Sequence, residues 1–324
     1  QCEVIAARRR GGALPCAGFE GTLDMTRLLK NYRQHKTLYW VGGLILLYFI
    51  VFSYLPMGGL VMAFQNFKLA DGIFGSEFVG LAQFEKFFNS PYFERVIVNT
   101  LVLSGYDLLF NFPAPILLAF LLNEIRNRAF KRTVQTVTYM PYFISMVVIC
   151  GLIVDFTDSE GVVTRLAHLF GSDATSLIAS PSAFRPIFII SNIWQSIGFN
   201  SIVFLAALAG VDQDLYEAAR IDGAGHFRQW LHVTLPGIAP TIMIMLILRI
   251  GQIMNVNFEK VILLYNTSTM ATADVISSYV YRVGLLDRQY SYSTAVGLFN
   301  SVISFVLLLT ANALSKRFSQ TSLF

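Results

Sequence analysis

Residues 38–64 read LYWVGGLILLYFIVFSYLPMGGLVMAF, a run of 27 residues without a charge. A bilayer core about 30 Å thick is crossed by roughly 20 mostly apolar residues in a helix. The run is therefore long enough for one crossing, and it is too long and too apolar for a buried helix of a soluble domain. It predicts a membrane-spanning helix.

Five similar runs follow, and the six predicted spans lie near residues 38–64, 96–123, 133–154, 186–210, 237–257 and 294–315. Only 14% of the 324 residues are charged, whereas soluble domains carry about 25%. We therefore predict an all-α polytopic membrane protein with six transmembrane helices, and we exclude disordered, fibrous and soluble-enzyme classes. Pro113, Pro115 and Pro141 predict kinks within the second and third spans.

Basic residues predict the orientation of the spans. If both termini are cytoplasmic, the inner segments hold fifteen Lys and Arg residues and the outer segments hold eight, Lys260 among them. Because basic residues favour the inner side, we expect both termini in the cytoplasm. Residues 1–36 would then form a cytoplasmic tail, 37–315 the transmembrane domain and 316–324 a cytoplasmic C-terminus. The pattern of residues 26–39 favours an interfacial helix, and a disordered basic tail is the alternative.

Motifs for catalysis, metal binding and nucleotide binding are absent from the sequence. The three cysteines are far apart and have no CxxC or Cys/His pattern, so we expect no metal site. The sequence has no HExxH or GxSxG motif and no paired intramembrane carboxylates, so we expect no catalytic residues. It also has no P-loop, so any ATP must be bound by a partner. The net charge of +4 gives no indication of nucleic-acid binding.

The segment 211–236, VDQDLYEAARIDGAGHFRQWLHVTLP, joins the fourth and fifth spans on the inner side. Asp212 can cap a helix at its N-terminus. Asp222-Gly223 is a turn signal, with the glycine suited to a left-handed conformation at the helix end. The helix between them has a narrow, small-sided face that a partner protein could approach closely. The alternative is a structured loop that packs only on its own bundle.

Three short motifs in this segment resemble the EAA motif of permeases from binding-protein-dependent ABC importers. They are Glu217-Ala218-Ala219, Asp222-Gly223-Ala224 and Leu235-Pro236. Further motifs resemble the maltose-type, polysaccharide and oligosaccharide branch of that family, which includes bacterial alginate importers: Asn99-Thr100, Phe258-Glu259-Lys260, Tyr279-Val280-Tyr281 and Ser291-Tyr292-Ser293. The resemblance covers all but residues 1–36, and no motif fixes the solute.

The resemblance implies a type I importer fold and a role for each residue of the motif. The helix that carries Glu217 would be a coupling helix, inserted in a cleft of a cytoplasmic ATPase subunit. Gly223 would form the turn after it. The implied coupling residues are Glu217, Ala218, Ala219, Asp222, Gly223, Ala224, Leu235 and Pro236.

The resemblance also implies partners and a location. The complex would hold a second permease subunit, which we expect to be a different chain, and two ATPase subunits that bind ATP and Mg²⁺. An extracytoplasmic solute-binding protein would deliver an oligosaccharide, either neutral or acidic as in alginate. The complex would lie in the bacterial cytoplasmic (inner) membrane. The alternative is a secondary transporter or channel that works alone on a small solute, which would need repeats or coupling-ion sites.

Two charged residues lie deep within predicted spans. At 1.5 Å per residue, Arg249 lies roughly 18 Å beyond Gly237, and Asp107 lies roughly 17 Å from the outer face. Both are therefore near the midplane, where ionisable groups are costly and usually functional. One interpretation is an Asp107–Arg249 ion pair. The other is that Arg249 faces a cavity and favours an anionic solute.

The fourth and fifth spans carry more polar residues than packing alone requires. Amides commonly bind sugars by hydrogen bonds, and an aromatic ring can cover the apolar face of the sugar. The predicted cavity residues are Trp194, Gln195, Asn200, Arg249, Gln252 and Asn257. The alternative is that these side chains form hydrogen bonds between helices.

Overall fold

The computed structural model describes residues 35–319 and the side chains of residues 35–316. The predicted tail therefore lies almost entirely outside the described residues, as do residues 320–324. The chain divides into two compact units, residues 1–58 and residues 59–324. The described part of the first unit is helical throughout, with Lys36–Phe49 and Leu55–Met57 joined by the π-helical turn Ile50–Tyr54. None of its residues is buried, which suits apolar side chains that face lipid.

Five helices are long and apolar enough to cross a membrane, and a bent pair makes a sixth crossing if it is one span. The five are Lys36–Phe64, Phe93–Glu124, Pro181–Leu208, His226–Gly251 and Tyr290–Lys316. Counting the bent pair, we call these six elements the first to sixth spans in chain order. They confirm the predicted fold class of a polytopic helical membrane protein.

The third span is the bent pair, Arg128–Phe143 and Met146–Leu169, with an angle of 100° between its halves. The first half ends in the 3₁₀ turn Met140–Phe143, which contains Pro141. Ile144 is extended, and the side chain of Ser145 then caps the second half by accepting a hydrogen bond from the Val148 N–H. The kink predicted at Pro141 is therefore present, as a complete break between two helices.

Three other prolines follow π-helical turns by two residues. Ile50–Tyr54 precedes Pro56, Asp107–Asn111 precedes Pro113 and Trp230–Thr234 precedes Pro236. Proline has no N–H, and its ring presses on the carbonyl of the preceding turn. A widened turn relieves this, and the Phe112 N–H accordingly bonds the Asp107 carbonyl five residues back at 3.2 Å. Near Pro113 the expected kink is thus a widened turn within one continuous helix.

Short elements connect the spans. The strands Gln65–Asn66 and Glu77–Phe78 form an antiparallel pair, with Gln65 opposite Phe78. The helices outside the spans are Gly72–Gly75, Ala82–Phe88, Gln213–Ile221, Phe258–Leu264, Met270–Ala273 and Ile276–Tyr281, and the π-helical turn Arg282–Leu286 follows the last of them. The fifth span itself begins with the helix His226–Gln229. The final helix continues to Ser319.

Helix–helix packing holds the spans of the second unit together. Pro181–Leu208 packs against Pro113–Glu124, and Leu235–Gly251 packs against the final helix. At Gly198 the fourth span touches the third, because a Cβ atom there would lie 2.2 Å from the Thr138 carbonyl oxygen. Only glycine allows this contact, so Gly198 sets the approach of the two spans.

A buried carboxylate holds the segment 270–286 to the start of the second span. Asp274 is fully buried and forms ion pairs with Arg95, at 3.2 Å, and Arg282, at 2.6 Å. Burial opposes the charge of Arg282, but the hydrogen bond and the negative charge of Asp274 raise the pKa of Arg282 above its ordinary value. Asn99 adds hydrogen bonds from its amide to the carbonyls of Ala271 and Asp274.

Candidate functional site

A cavity of about 380 Å³ lies between the second, third, fourth and fifth spans, and we call it the central cavity. Most of the residues that line it are polar, although the spans are apolar. The polar lining residues are Ser104, Asp107, Asn111, Asn192, Gln195, Ser196, Asn200, Arg249, Gln252, Asn255 and Asn257. Amide groups dominate this set, so the wall offers many hydrogen-bond donors and acceptors and only two charged side chains.

Five of the six predicted cavity residues lie on this wall: Gln195, Asn200, Arg249, Gln252 and Asn257. Trp194 does not lie on this wall. Successive residues of a helix point about 100° apart, so the turn that directs Gln195 inwards directs Trp194 outwards, where it is 47% exposed. A role of the five wall residues in solute binding stays a prediction.

The predicted Asp107–Arg249 ion pair is confirmed. Arg249 Nη2 donates to Asp107 Oδ2, and both residues line the central cavity. Asp107 Oδ1 also accepts from Asn111 Nδ2 at 3.0 Å, and Asn111 Oδ1 accepts from Ser196 Oγ at 3.1 Å. Arg249 therefore faces the cavity with its charge balanced by Asp107, and its preference for an anionic solute stays a prediction.

Two aromatic rings lie on the wall, those of Phe188 and Tyr142, and the sequence indicated neither as a cavity residue. Tyr142 lies in the 3₁₀ turn at the break of the third span and stacks on Phe199, with ring centroids 3.9 Å apart and planes 4° apart. A stacked pair of this kind presents a rigid apolar face. The break after Pro141 is what turns this ring towards the cavity.

The inner segment 211–236 has the local structure that its sequence predicts. Asp212 Oδ1 accepts a hydrogen bond from the Asp214 N–H at 3.0 Å and begins the helix Gln213–Ile221. Gly223 has φ 76°, which is the left-handed region. The N–H of Ala224 bonds the Ala219 carbonyl at 2.9 Å, and the N–H of Gly223 bonds the Arg220 carbonyl at 3.0 Å. These two bonds are those of a Schellman helix end.

Most side chains of the helix Gln213–Ile221 are exposed, including Glu217 and Ala218. Large apolar groups are exposed beside them, with Ile221 at 87% and Phe227 at 74%. On the opposite side, Tyr216 Oη lies 3.1 Å from Thr234 Oγ1 and holds the helix to the base of the fifth span. An exposed apolar helix face on an anchored helix is typical of a protein–protein contact.

Glu124 connects this segment to the end of the second span. Its Oε1 accepts from Trp230 Nε1 at 3.0 Å, and its Oε2 lies 3.2 Å from His226 Nδ1. These contacts join the segment to the helix Pro113–Glu124, whose other end adjoins Asn111 and the central cavity.

From within the second span onwards, the sequence matches one family of membrane proteins. The family model described as binding-protein-dependent transport system inner membrane component matches residues 111–320. This is well over half of the chain, and it includes the inner segment and the last four spans. The chain belongs to this family, which confirms the predicted membership and makes it an inner-membrane transport component.

Individual relatives agree along nearly the whole length. Protein LplB of Bacillus subtilis (strain 168) is 46% identical over 293 residues, covering 90% of this chain and 92% of the relative. The polygalacturonan/rhamnogalacturonan transport system permease protein YteP of the same organism is 42% identical over 299 residues, covering 92% and 93%. A chain of a bacterial alginate ABC transporter, solved in complex with an alginate pentasaccharide-bound periplasmic protein, superimposes with a TM-score of 0.84 at 43% identity. It covers 92% of this chain and 100% of that one.

Proposed function

We propose that the chain is the membrane-spanning subunit of an ATP-driven importer for oligosaccharides, acidic ones included. The central cavity carries this proposal, because its amide-rich wall lies within an apolar bundle where polar groups are costly. Each amide side chain offers both hydrogen-bond donors and an acceptor, so it can bind the hydroxyl groups of a sugar. The ring of Tyr142 can pack against the apolar face of the sugar. The names of two relatives, which mention polygalacturonan and alginate, support a polysaccharide-derived solute.

Coupling to ATP hydrolysis occurs through the inner segment in this proposal. Two ATPase subunits bind ATP and Mg²⁺, and a cleft of one of them receives the helix that carries Glu217, Ala218 and Ala219. Closure of the ATPases pushes this helix, and the contacts of Glu124 and Tyr216 pass the push to the second and fifth spans. The central cavity thereby opens alternately to the two sides of the membrane.

The remaining partners follow from the same proposal. A second, different permease chain completes the pathway, and an extracytoplasmic solute-binding protein docks on the outer segments. An outer pocket of about 710 Å³, lined by Lys86, Arg95 and Tyr92 among others, lies on that side. Both termini are then cytoplasmic. A transporter that works alone is the competing function, and it predicts uptake by the purified chain without partners.

The experiment compares Ala218→Trp with Ala129→Trp in the complete importer, reconstituted with its binding protein. Both alanines are exposed, and Ala129 lies on another inner-side helix, Arg128–Tyr139. We expect Ala218→Trp to abolish oligosaccharide uptake and solute-stimulated ATP hydrolysis, because a large ring keeps the ATPase from the backbone. The control should retain both activities.

Uptake by the purified chain alone, or normal uptake by the Ala218→Trp importer, would contradict the proposal.

A further inference from the structure

One buried cation lies behind the wall of the central cavity. Lys260 is fully buried in the helix Phe258–Leu264, beyond the end of the fifth span. Its Nζ donates to Asn192 Oδ1 at 2.8 Å and lies 5.8 Å from the centre of the Phe188 ring. Asn192 and Phe188 are themselves wall residues of the cavity. A single layer of side chains thus separates the ammonium group from the cavity.

This cation has no acidic partner among the residues whose side chains the structure describes. The ion pairs among the described residues join Asp107 to Arg249, Asp274 to Arg95 and Arg282, Glu160 to Arg165 and Glu124 to His226, and none includes Lys260. Glu259, its neighbour in sequence, is exposed. Burial of a charge without a counter-ion is expensive, so a buried ammonium of this kind calls for a functional explanation.

The charge persists at neutral pH and is not cancelled within the cavity. Burial lowers the pKa of Lys260 to about 8, so most of the amine is protonated at pH 7. Asp107 and Arg249 are the only charged residues of the cavity lining, and they neutralise each other. Lys260 therefore leaves this region of the described chain with one net positive charge, in a setting of low dielectric where it acts strongly.

Asn192 directs that charge into the cavity. A protonated amine can only donate, so it fixes the amide of Asn192 with Oδ1 towards Lys260 and Nδ2 away from it. No described residue accepts a hydrogen bond from Nδ2. A hydrogen bond on the amide oxygen polarises the amide and strengthens its N–H groups as donors.

We propose that Lys260 and Asn192 form a carboxylate-recognition unit in the wall of the central cavity. The Nδ2 group of Asn192 donates to a carboxylate of an acidic oligosaccharide, and Lys260 supplies the balancing charge and holds the amide in place. Asn192 is the contacting residue and Lys260 the positioning residue. This inference rests on the proposed import of oligosaccharides and assigns the recognition of the acidic ones to residues other than Arg249.

The test uses the complete importer with Lys260→Met and Lys260→Arg. Uptake of trigalacturonate is measured in vesicles with the binding protein present. Binding of trigalacturonate and of its uncharged methyl ester is measured on the assembled permease–ATPase complex without the binding protein. Methionine keeps the length and apolar stem of the side chain but removes the charge, and arginine keeps the charge.

We expect Lys260→Met to weaken trigalacturonate binding and uptake by about tenfold or more, the size expected for a hydrogen bond to a charged group. Binding of the methyl ester should change by less than about threefold by the same reasoning. Lys260→Arg should bind trigalacturonate better than Lys260→Met does. The thermal unfolding temperature of the Lys260→Met complex should not fall, because an uncompensated buried charge has been removed.

Three results would contradict the proposed carboxylate-recognition unit. They are normal trigalacturonate uptake by Lys260→Met, an equal loss of binding of trigalacturonate and of its methyl ester, and a Lys260→Arg protein as defective as Lys260→Met. Failure of the proposed function gives a different result, since the wild-type importer would then take up no oligosaccharide at all.

Discussion

The inner segment 211–236 and the wall of the central cavity are built in opposite ways. The segment is continuous in sequence. The hydrogen bonds that shape the two ends of its helix are accepted by Asp212 Oδ1 and by the Ala219 carbonyl, and they span at most five residues. The wall takes residues from Ser104 to Asn257, on four spans and the segment after them. A local structure can be altered without harm to the bundle, whereas an assembled wall depends on how distant helices meet.

The strongest way to test this contrast is Gly198→Val, at the contact of the third and fourth spans. The new Cβ would lie 2.2 Å from the Thr138 carbonyl oxygen, and backbone cannot move aside as a side chain can. Overpacking usually costs about 1–3 kcal/mol and sometimes more. We expect Gly198→Val to lower the stability of the fold by about 3 kcal/mol or more. Little assembled complex should then be recovered by size-exclusion chromatography.

Gly151→Val is the matched control, because a Cβ at Gly151 of the third span meets nothing within 4 Å. If the two valine variants assembled equally well, the wall would not depend on this helix contact.

A smaller effect is expected from breaking the Asp107–Arg249 pair. Asp107→Asn and Arg249→Gln each leave a charge without its partner, which should destabilise the complex by about 1–3 kcal/mol. The double substitution removes both charges and should recover most of that loss. Thermal unfolding of the four proteins gives the coupling energy. Additive losses would show that the pair contributes no stability.

The smallest effect is expected within the inner segment, from Gly223→Ala. A residue with a side chain pays about 1 kcal/mol or more for the left-handed conformation that Gly223 adopts. This loss should loosen the helix end and reduce solute-stimulated ATP hydrolysis several-fold, without a change in the assembly of the spans. Gly225→Ala, at φ −71°, is the control and should remain active. A global loss of assembly in Gly223→Ala would show that the segment is part of the bundle's core.

Local features of the sequence were sufficient for the segment and for part of the cavity. The Asp-Gly pair at 222–223 indicates a helix end because only backbone geometry is involved. The Asp107–Arg249 pair could be predicted because depth in the bilayer follows from counting residues along two spans. In both cases a short calculation from one or two helices was enough.

Features that depend on three-dimensional packing were not predictable in this way. Trp194 was placed in the cavity by its residue type, and only the rotation of the fourth span shows that it faces outwards. Lys260 counted as an outer basic residue, because nothing in the sequence shows that the helix Phe258–Leu264 packs against Asn192. Tyr142 depends on the 100° bend of the third span, whose angle Pro141 alone does not specify.

The widened turn Asp107–Asn111 lets the second span hold one residue more than a regular helix would. A π-helical turn holds more residues than the 3.6 of an α-helical one. Deleting Leu108 would let the helix return to regular geometry, with Asp107 and Asn111 three residues apart and still on one face of the helix. The same deletion within the regular helix Pro113–Glu124 would instead rotate everything beyond it by about 100°. We therefore expect the second span to tolerate the loss of one residue at the widened turn better than elsewhere along its length.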